Sequence, residues 1–489
     1  MSVFSSASNR GRCDVLVVLG HVVHVRNFVA SGFIEFLANQ GLRLVVIAPE
    51  DLLETIRTLA PGVLEVVALE QGRLRASRRK LLHWLRIGSM VHRRRFIEYR
   101  KKLEWAASAR FSQRLAIRFW TMVDHWMDAE AVAAAWVMRL PASRPAKRLV
   151  EQLSPRLVLW PTTISDPGDF EIVKASSEAK IPLLMFEGSW DNLVGKGGIW
   201  PRPKHLLVWG DFSRKYALEH HGFDGDQVTV TGPPHFDVYG KPQELLSREG
   251  WFKAHGLAPA KKLIFIGGTT VGSKAEPELI HLLSAWIDAG RIPPAYIWYR
   301  PHPKALVRRR FDREALAAIA HVVIDPGVEG AEHLPKGRWL VDSQDAAQRA
   351  NALAACDVML SSFSTVVLEA ALLGKPSILV SFGKQASAQA GSIRSYLEFA
   401  HVRLLAETPW IQTAYQPVEL EEKLNSLLMR FPPAAAESLR SFGATIAHCL
   451  DGQARNRLAD VVLSMLDGPG NGKYQANKGL IAETMARTS

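Results

Sequence analysis

The sequence has little cysteine and no segment of the kind that directs export or membrane insertion. Its 489 residues include three cysteines, Cys13, Cys356 and Cys449, which are far apart and lack metal-ligand spacing. A disulfide framework is therefore not expected. A reducing, cytoplasmic setting is expected instead. The first 12 residues are polar, so no signal peptide is expected. No run reaches the roughly 18 apolar residues of a membrane span.

Two cofactor signatures are also missing. The first predicted strand, residues 14–20, ends in Gly20-His21-Val22 and not in a G-x-G-x-x-G turn. This disfavours a dinucleotide-binding enzyme. No cluster of His, Asp or Glu has metal-ligand spacing, and no D-x-D motif follows a predicted strand. We therefore predict that the protein needs neither a metal nor a cofactor.

What the sequence has in quantity is apolar residues and positive charge. Apolar residues make up 47% of the chain, the net charge is +12 and the pI is about 9.6. The apolar content allows a large hydrophobic core, and the length of the chain allows two to four domains. The positive charge suits an anionic partner: a lipid surface, a nucleic acid or a phosphorylated substrate.

Short apolar runs alternate with helical patterns along most of the chain, which predicts parallel sheets covered on both faces. Residues 26–40 are predicted as one helix, and residues 434–466 as a terminal helical stretch. The alternation is interrupted over residues 71–148 and resumes at residue 156.

The interrupting segment is helical in composition, basic and rich in tryptophan. A basic helix with aromatic residues can lie on an anionic bilayer, so a membrane surface is a predicted partner. The alternative is a helical insertion with solvated charges. No nucleic-acid motif accompanies the charge, so nucleic acid is not expected. The residues concerned are Arg73, Arg75, Arg78, Arg79, Lys80, Arg86, Arg93, Arg94, Arg95, Arg100, Lys101 and Lys102, with Trp84, Trp105, Trp120, Trp126 and Trp136.

The stretch from Asp357 to Pro376 is the most informative part of the chain. It predicts a buried strand, a hydroxyl-rich turn and an apolar helix. Hydroxyls at a helix start satisfy free N–H groups there, and the same end of a helix attracts anions. Helical spacing places Ser362, Ser364, Thr365 and Glu369 on one face. A nucleotide diphosphate would suit this arrangement, and an ordinary capped helix is the alternative.

Three further groups of polar residues follow predicted strands. Gly268, Thr269 and Thr270 could present backbone N–H groups to a phosphate, although such turns are common without ligands. Arg300 and His302 are held in direction by adjacent prolines and could bind phosphate, or they could form a rigid surface turn. A glycine-rich loop after the strand at 181–186 could line the acceptor side of a cleft, with hinge packing as the alternative for its tryptophan. The loop residues are Trp190, Asp191, Asn192 and Lys196.

The order of these motifs resembles the GT-B glycosyltransferases and their relatives, the CDP-glycerol glycerophosphotransferases and UDP-GlcNAc 2-epimerases. The first element is Glu369-Ala370 followed by Gly374-Lys375-Pro376, the second is Arg300-Pro301-His302-Pro303, and the third is Trp190-Asp191-Asn192 followed by Thr231-Gly-Pro-Pro-His-Phe-Asp237. In that superfamily the Glu holds the nucleotide ribose and the preceding hydroxyls meet the phosphates.

The resemblance implies a fold and a domain plan. The expected fold is α/β, with two Rossmann-like parallel-sheet domains facing a cleft. Residues 1–235 would form the acceptor domain with its basic insertion, 236–262 a linker, 263–466 the donor domain and 467–489 a flexible tail.

The resemblance also implies an activity. It predicts transfer of a sugar from a nucleotide diphosphate-sugar to a surface glycan or lipid-linked acceptor, in a bacterial cell at the inner face of the plasma membrane. A base must deprotonate the acceptor, and the candidates are His21, Asp166 and His24. Glu369 stands where the glycerophosphotransferases have Asp, which favours sugar transfer. Polyol phosphate transfer from a CDP-linked donor, 2-epimerisation and a non-catalytic membrane scaffold are the alternatives.

Overall fold

The computed structural model contains two parallel β-sheets. It describes residues 13–63, 65–69, 75–162, 164, 169–269, 275–302, 305, 312–330, 341–362, 364–382 and 397–467. The predicted site residues Asp166 and Thr270 lie outside these ranges. The first sheet contains β1 Val15–Val18, β2 Leu44–Ala48, β3 Glu65–Ala68, β4 Leu157–Thr162, β5 Leu183–Glu187, β6 His205–Val208 and β7 Val228–Val230. The second contains β8 Lys262–Gly267, β9 Ala295–Arg300, β10 Val322–Ile324, β11 Val358–Ser361, β12 Ser377–Val380 and β13 Ile411–Ala414.

The strand order places a crevice beside the first strand of each sheet. The orders are β3-β2-β1-β4-β5-β6-β7 and β10-β9-β8-β11-β12-β13, and all pairings are parallel. The chain therefore leaves β1 and β8 toward one edge and later returns to the other side. Ligands of open α/β sheets bind at this switch point, outside the carboxyl ends of the strands.

Helices cover both faces of the sheets. Alternate residues of β1 enter different cores: Val15 and Val17 pack on one face, and Leu16 and Val18 on the other. This two-sided burial explains why the strands are continuous apolar runs. The described α-helices are α1 Val22–Val25, α2 Phe33–Ala38, α3 Leu53–Leu59, α4 Ala76–His92, α5 Ile97–Ala109, α6 Phe111–Trp126, α7 Ala129–Arg139, α8 Arg144–Leu153, α9 Phe170–Glu178, α10 Asn192–Gly195, α11 Asp211–His221, α12 Arg248–Ala254, α13 Glu276–Asp288, α14 Arg313–Ala317, α15 Asp345–Ala355, α16 Thr365–Leu372, α17 Ala400–Ala406, α18 Pro417–Met429, α19 Pro433–Ala447 and α20 Ala454–Asp467.

Two predicted helices are interrupted. The predicted helix at 26–40 begins as a π-helix over Arg26–Ala30 and stops at Gly32, whose φ is +75°. The stretch at 434–466 is broken between α19 and α20, where His448 and Gly452 both have positive φ. Positive φ is incompatible with a continuing right-handed helix.

The insertion is a helical subdomain with its own core. Helices α4 to α7 pack around Trp120, whose Nε1 donates to the carbonyl oxygen of Trp84 at 2.9 Å. Several basic residues serve this packing: Arg93 donates to both carboxylate oxygens of Glu130, at 2.6 and 2.7 Å. Glu98 accepts from the backbone N–H of Ala400 at 2.6 Å. The insertion therefore also contacts the second lobe.

The chain passes between the lobes through a 3-10 helix at Pro234–Gly240 and returns through α20. The carboxylate of Asp237 accepts the backbone N–H groups of Ala454 and Arg455 at 2.8 and 3.1 Å. Arg156, before β4, donates to the carbonyl oxygen of Leu466 at 2.6 Å. Helix α20, which the sequence assigned to the second lobe, therefore packs on the first lobe. No described helix is long and apolar enough to cross a membrane.

Candidate functional site

A cavity of about 240 Å³ lies between the carboxyl edges of the two sheets. We call it the interlobe cavity. The first lobe and the linker contribute Val23, Arg26, Asn27, Gly188, Ser189, Trp209 and His235, and the second lobe contributes Gly267, Gly268, Arg300, Pro301, His302, Gly327, Val328, Asp345, Arg349, Ser364, Thr365, Val366 and Glu369. Residues after β1, β5, β8, β9 and β11 thus meet at the position that the strand order favours.

A chain of buried charges forms the floor of the interlobe cavity. Arg349 donates to Glu369 at 2.6 Å and to Asp345 at 2.7 Å. Arg300 donates to Asp325 at 2.6 Å and also to Asp345. Burial alone would raise the pKa of Asp345, but Arg349, Arg300 and Arg26 together hold it well below its ordinary value. The predicted donor residues Arg300 and Glu369 are therefore joined through two residues that the sequence did not single out.

Arg26 brings a cation from the first lobe to this floor. It lies on the π-helix after β1, and its Nε donates to the side chain of Asn27 at 3.2 Å. Burial and the nearby Arg349 guanidinium lower the pKa of Arg26, which remains cationic at any physiological pH. Short π-helical turns are frequent at functional sites. An anion between Arg26, Arg300 and Arg349 would be attracted from both lobes.

The start of α16 and the turn after β8 form the opposite wall. Ser364 caps α16 by accepting the N–H of Val366 at 3.4 Å, and Thr365 also lines the cavity. The positive end of the helix dipole therefore faces the cavity. At Gly268 an added Cβ would lie 2.5 Å from the backbone nitrogen of His302. A glycine is needed there so that the two strand-end turns can approach each other.

Two residues of the 3-10 helix Pro234–Gly240, which connects the lobes, reach the site. Tyr239 donates its hydroxyl to Oε2 of Glu369, the oxygen that also accepts from Arg349. His235 lines the cavity, and its Nδ1 is buried without a hydrogen-bond partner among the described residues. Burial, Arg26 and Arg349 lower the pKa of His235 well below its ordinary value, so its ring is neutral. A buried polar atom without a partner is costly, and a ligand group would relieve that cost.

Thr269 and Ser362, the other predicted donor residues that the structure describes, are not among the residues that line the interlobe cavity. Thr269 is buried, and its backbone N–H donates to Glu276 at 2.7 Å. Ser362 lines a second cavity, with Glu276 and Phe382, beyond β11. The helical spacing did not bring Ser362 to the face of Glu369 because α16 begins only at Thr365.

The predicted acceptor loop packs beside the site. Trp190 is a core residue whose ring meets His401 of α17 edge-on, with centroids 5.3 Å apart. Asp191 forms an ion pair with Lys196 at 3.3 Å, and Asn192 donates to Asp191 at 3.1 Å. None of these four loop residues is among those that line the interlobe cavity. Lys196 lines another cavity, described below.

The two histidines after β1 have different environments. Nδ1 of His21 accepts the backbone N–H of Val23 at 3.1 Å and so caps α1. In this arrangement the proton of the neutral ring is on Nε2. His24 is fully buried, and burial with the nearby His21 lowers its pKa to about 3. Neither histidine lines the interlobe cavity.

Metal ligation finds no support in the part of the chain that the structure describes. No group of three His, Cys, Asp or Glu side chains there could hold a metal ion. Metal independence stays a prediction.

Comparison with known proteins gives matches among solved structures alone. No protein-family model and no curated protein sequence matches the chain. A protein from Listeria monocytogenes, provisionally assigned as a UDP-N-acetylglucosamine 2-epimerase, superposes with a TM-score of 0.51 at 12% identity, covering 94% of this chain and 96% of its own. The UDP-GlcNAc 2-epimerase of Neisseria meningitidis, bound to UDP-GlcNAc, gives 0.50 at 14% identity, covering 92% and 99%. A glycosyltransferase from Rickettsia africae gives 0.47 at 12% identity, covering 94% and 99%.

The chain has a GT-B fold. Two parallel sheets of seven and six strands face each other across a cleft, as the sequence motifs predicted. The predicted resemblance is confirmed at the level of fold by the two 2-epimerase structures, whose TM-scores are 0.51 and 0.50. Sequence identities of 10–14% carry that conclusion no further than the fold.

Proposed function

We propose that the protein is a metal-independent glycosyltransferase that moves a sugar from a nucleotide diphosphate-sugar to a surface glycan or lipid-linked acceptor. The observation that supports this most is the meeting of Glu369 and Arg300 in one interlobe cavity, connected through Arg349 and Asp345. A carboxylate suited to ribose hydroxyls and a cluster of arginines suited to a diphosphate then lie within one ligand's reach.

Each part of the donor has a matching group in this proposal. Glu369 accepts from the ribose hydroxyls, while Arg26, Arg300 and the start of α16 bind the diphosphate. In the reaction the acceptor oxygen bonds to the anomeric carbon, and the bond from that carbon to the diphosphate oxygen breaks. The electron pair stays on the departing nucleotide diphosphate, where arginines already in place stabilise the added charge.

A base must take the acceptor proton. His21 would first have to release the Val23 N–H, since the lone pair of its Nδ1 is engaged there. Asp166 is the other candidate of the proposal and lies outside the described residues.

A nucleotide screen by thermal shift tests the proposed donor site. We expect UDP, GDP, CDP or dTDP to raise the melting temperature, because a ligand that binds only the folded state adds RT ln(1 + [L]/Kd) to its stability. At a ligand concentration about a hundred times Kd the gain is about 2.7 kcal/mol. CMP, which has one phosphate, is the matched control and should act more weakly. No shift with any diphosphate would contradict the proposal and favour a non-catalytic scaffold.

A second candidate is a sugar-nucleotide 2-epimerase. Two neighbours with TM-scores of 0.50 and 0.51 bear that name. NMR of UDP-GlcNAc incubated with the protein, without acceptor, separates the two functions. An epimerase would convert the sugar, whereas a transferase would leave its C2 configuration unchanged. Polyol phosphate transfer is tested by the mass of the product formed with CDP-glycerol in place of a UDP-sugar.

We further propose that the insertion lies on an anionic membrane surface. Five large apolar side chains form an exposed stripe along one face of α6, at spacings of three and four residues. Phe111 at one end is 68% exposed and Trp126 at the other is 80% exposed. Arg114 and Arg118, also exposed, flank the stripe. The stripe consists of Phe111, Leu115, Phe119, Met122 and Trp126.

Liposome flotation tests this membrane proposal. Replacing Phe111 and Trp126 with serine should reduce binding to anionic vesicles by at least about a hundredfold, since burying each large side chain contributes about 1.5–3 kcal/mol. The matched control replaces Val418 and Met429, exposed apolar residues of the second lobe, with serine. Equal loss in both variants, or undiminished binding to neutral vesicles at high salt, would contradict the proposal.

A further inference from the structure

A further cavity, of about 780 Å³, lies between the insertion and the first sheet. We call it the basic cavity. Helices α4, α5 and α6 line it on one side. Trp160 of β4 lines it on the other side, together with the loop at residues 190–197, which includes α10 and which we call the α10 loop. One described acid, Asp169, lines it, and this carboxylate accepts from Nε1 of Trp160. The cationic residues are Arg79, Lys80, Arg86, Lys102, Arg110 and Lys196.

The cations of the basic cavity are crowded together. Burial and the neighbouring Lys196 lower the pKa of Lys102 to about 8. Burial, Arg86 and Arg110 lower the pKa of His83, which lines the same cavity. Burial is the larger cause of both shifts, and repulsion between like charges that face one another adds to it. An anionic ligand would reverse this repulsion.

The wall that carries these charges is fixed by hydrogen bonds. Arg86 donates to the carbonyl oxygen of Lys196 at 3.2 Å, and Lys102 donates to the carbonyl oxygen of Gly195. Both bonds tie the helices of the insertion to the α10 loop, so Arg86 and Lys102 are held in place before a ligand arrives. Such preorganisation lowers the cost of binding.

We propose that the basic cavity binds a phosphomonoester or diphosphate group. Six cationic side chains line the cavity with one described carboxylate, and one of the six, Lys196, is also paired with Asp191 at 3.3 Å. The excess of positive charge suits a ligand of more than one negative charge, and arginine and lysine both bind phosphate oxygens. The α10 loop follows β5 by way of Gly188 and Ser189, which line the interlobe cavity. The two cavities thus share one connection of the first lobe. Assigning the phosphate to the acceptor substrate rests on the proposed function.

The position of α6 bears on the source of the phosphate. Arg110 and Gln113, at the start of α6, line the basic cavity, while the exposed apolar stripe runs along the same helix. A phosphate on a lipid and a phosphate on a soluble sugar would both satisfy the cationic wall. These two sources are distinguished below.

Calorimetric titration with inorganic pyrophosphate tests the site in the full-length protein. The titration is made with a saturating nucleotide diphosphate present, which occupies the interlobe cavity if the proposed function is right. We expect pyrophosphate to bind the wild-type protein, and the double variant Lys80→Gln/Arg110→Gln to bind about tenfold more weakly or worse. The matched control, Arg114→Gln/Arg118→Gln, removes the same charge from exposed positions outside the cavity and should change affinity less than about twofold.

The outcomes separate this proposal from the proposed function. Nucleotide binding is measured on the same samples, so its absence contradicts the donor site and leaves the comparison of the two double variants intact. Equal weakening in both double variants, or displacement of all bound pyrophosphate by the nucleotide, overturns the basic-cavity proposal. Competition by glucose 1-phosphate indicates a soluble source, and competition by phosphatidic acid vesicles indicates a lipid. Competition by neither overturns the assignment to a phosphate ester.

Discussion

Glu369→Gln is expected to weaken nucleotide diphosphate binding by roughly ten- to a hundredfold. Hydrogen bonds to a charged group contribute about 1.5–3 kcal/mol, and each 1.4 kcal/mol is about tenfold in affinity. The amide keeps the shape of the carboxylate and removes its charge. It also deprives the buried guanidinium of Arg349 of one of its two carboxylate partners. Removing one partner of a buried ion pair costs about 3–5 kcal/mol of folding free energy.

Two controls separate the loss of a ligand contact from loss of structure. Glu421→Gln removes a carboxylate that pairs with Arg291 at the surface of the same lobe, and it should leave binding and unfolding unchanged. Tyr239→Phe removes a hydroxyl that donates to Glu369 and leaves the Arg349 contact intact. It should lower stability more than affinity. Calorimetry and urea unfolding measure both quantities, and wild-type affinity in Glu369→Gln would remove Glu369 from the donor site.

The sequence was informative about the fold because parallel strands buried on both faces leave continuous apolar runs. Val15 to Val18 is such a run, and its alternate residues enter different cores. Arg300, Ser364 and Glu369 were also predicted as donor-site residues, and all three line the interlobe cavity. Each stands at or just after the carboxyl end of a strand or on the helix that follows it, where sequence position and spatial position agree.

The remaining residues of the site could not be predicted in this way, because the sequence patterns around them are also common outside functional sites. Asp345 and Arg349 are four residues apart on α15, a spacing that usually indicates a solvated helical pair. Arg26 lies where one continuous helix was predicted, and the π-helical turn that directs it into the cleft has no recognised sequence pattern. His235 was inside a motif that carried the family resemblance, and its position at the end of the first predicted domain gave no indication of burial against two arginines.

The insertion shows a different limit of prediction from sequence. Its positive charge suggested a membrane surface as a partner, yet much of that charge forms ion pairs within the protein. Arg93 pairs with Glu130, and Lys101 pairs with Glu398. Trp120 is buried, whereas Trp126 is exposed. Which face of a helix is covered depends on its neighbours in the subdomain, and composition does not contain that information. The apolar stripe of α6 therefore emerged only from the structure.

Glu187 gives the second large effect, a dependence of stability on pH. It ends β5 directly beneath the interlobe cavity and is fully buried. One carboxylate oxygen accepts the N–H of Trp209 at 3.3 Å, while Oε1 has no hydrogen-bond partner among the described residues. Burial, with a further contribution from Asp191, raises the pKa of Glu187 to about 8 from the ordinary 4.5. The folded protein therefore holds this carboxyl in its neutral form at neutral pH.

The sign of the effect follows from linkage. Between the ordinary pKa and about 8 the folded state binds a proton that the unfolded state has lost, so stability falls as pH rises. The contribution is complete below the ordinary pKa and is lost as pH rises through the folded pKa. Glu187→Gln replaces the neutral acid with a neutral amide of the same shape, and it should remove this dependence.

The measurement is the free energy of urea unfolding of wild type and Glu187→Gln from about pH 5 to about pH 9, where one such group changes stability by up to about 1.4 kcal/mol per pH unit. We expect the free energy of unfolding of the variant to rise relative to that of the wild type as pH rises, by a few kcal/mol at the alkaline end. Buried histidines such as His24 and His235 titrate in both proteins, so they cancel in the difference. Glu422→Gln, at an exposed position on α18, is the matched control, and its stability should depend on pH as that of the wild type does. If the Glu187 variant also showed the pH dependence of the wild type, the carboxyl would be ionised in the folded protein, and a buried negative charge would lie at the end of β5 beside the interlobe cavity.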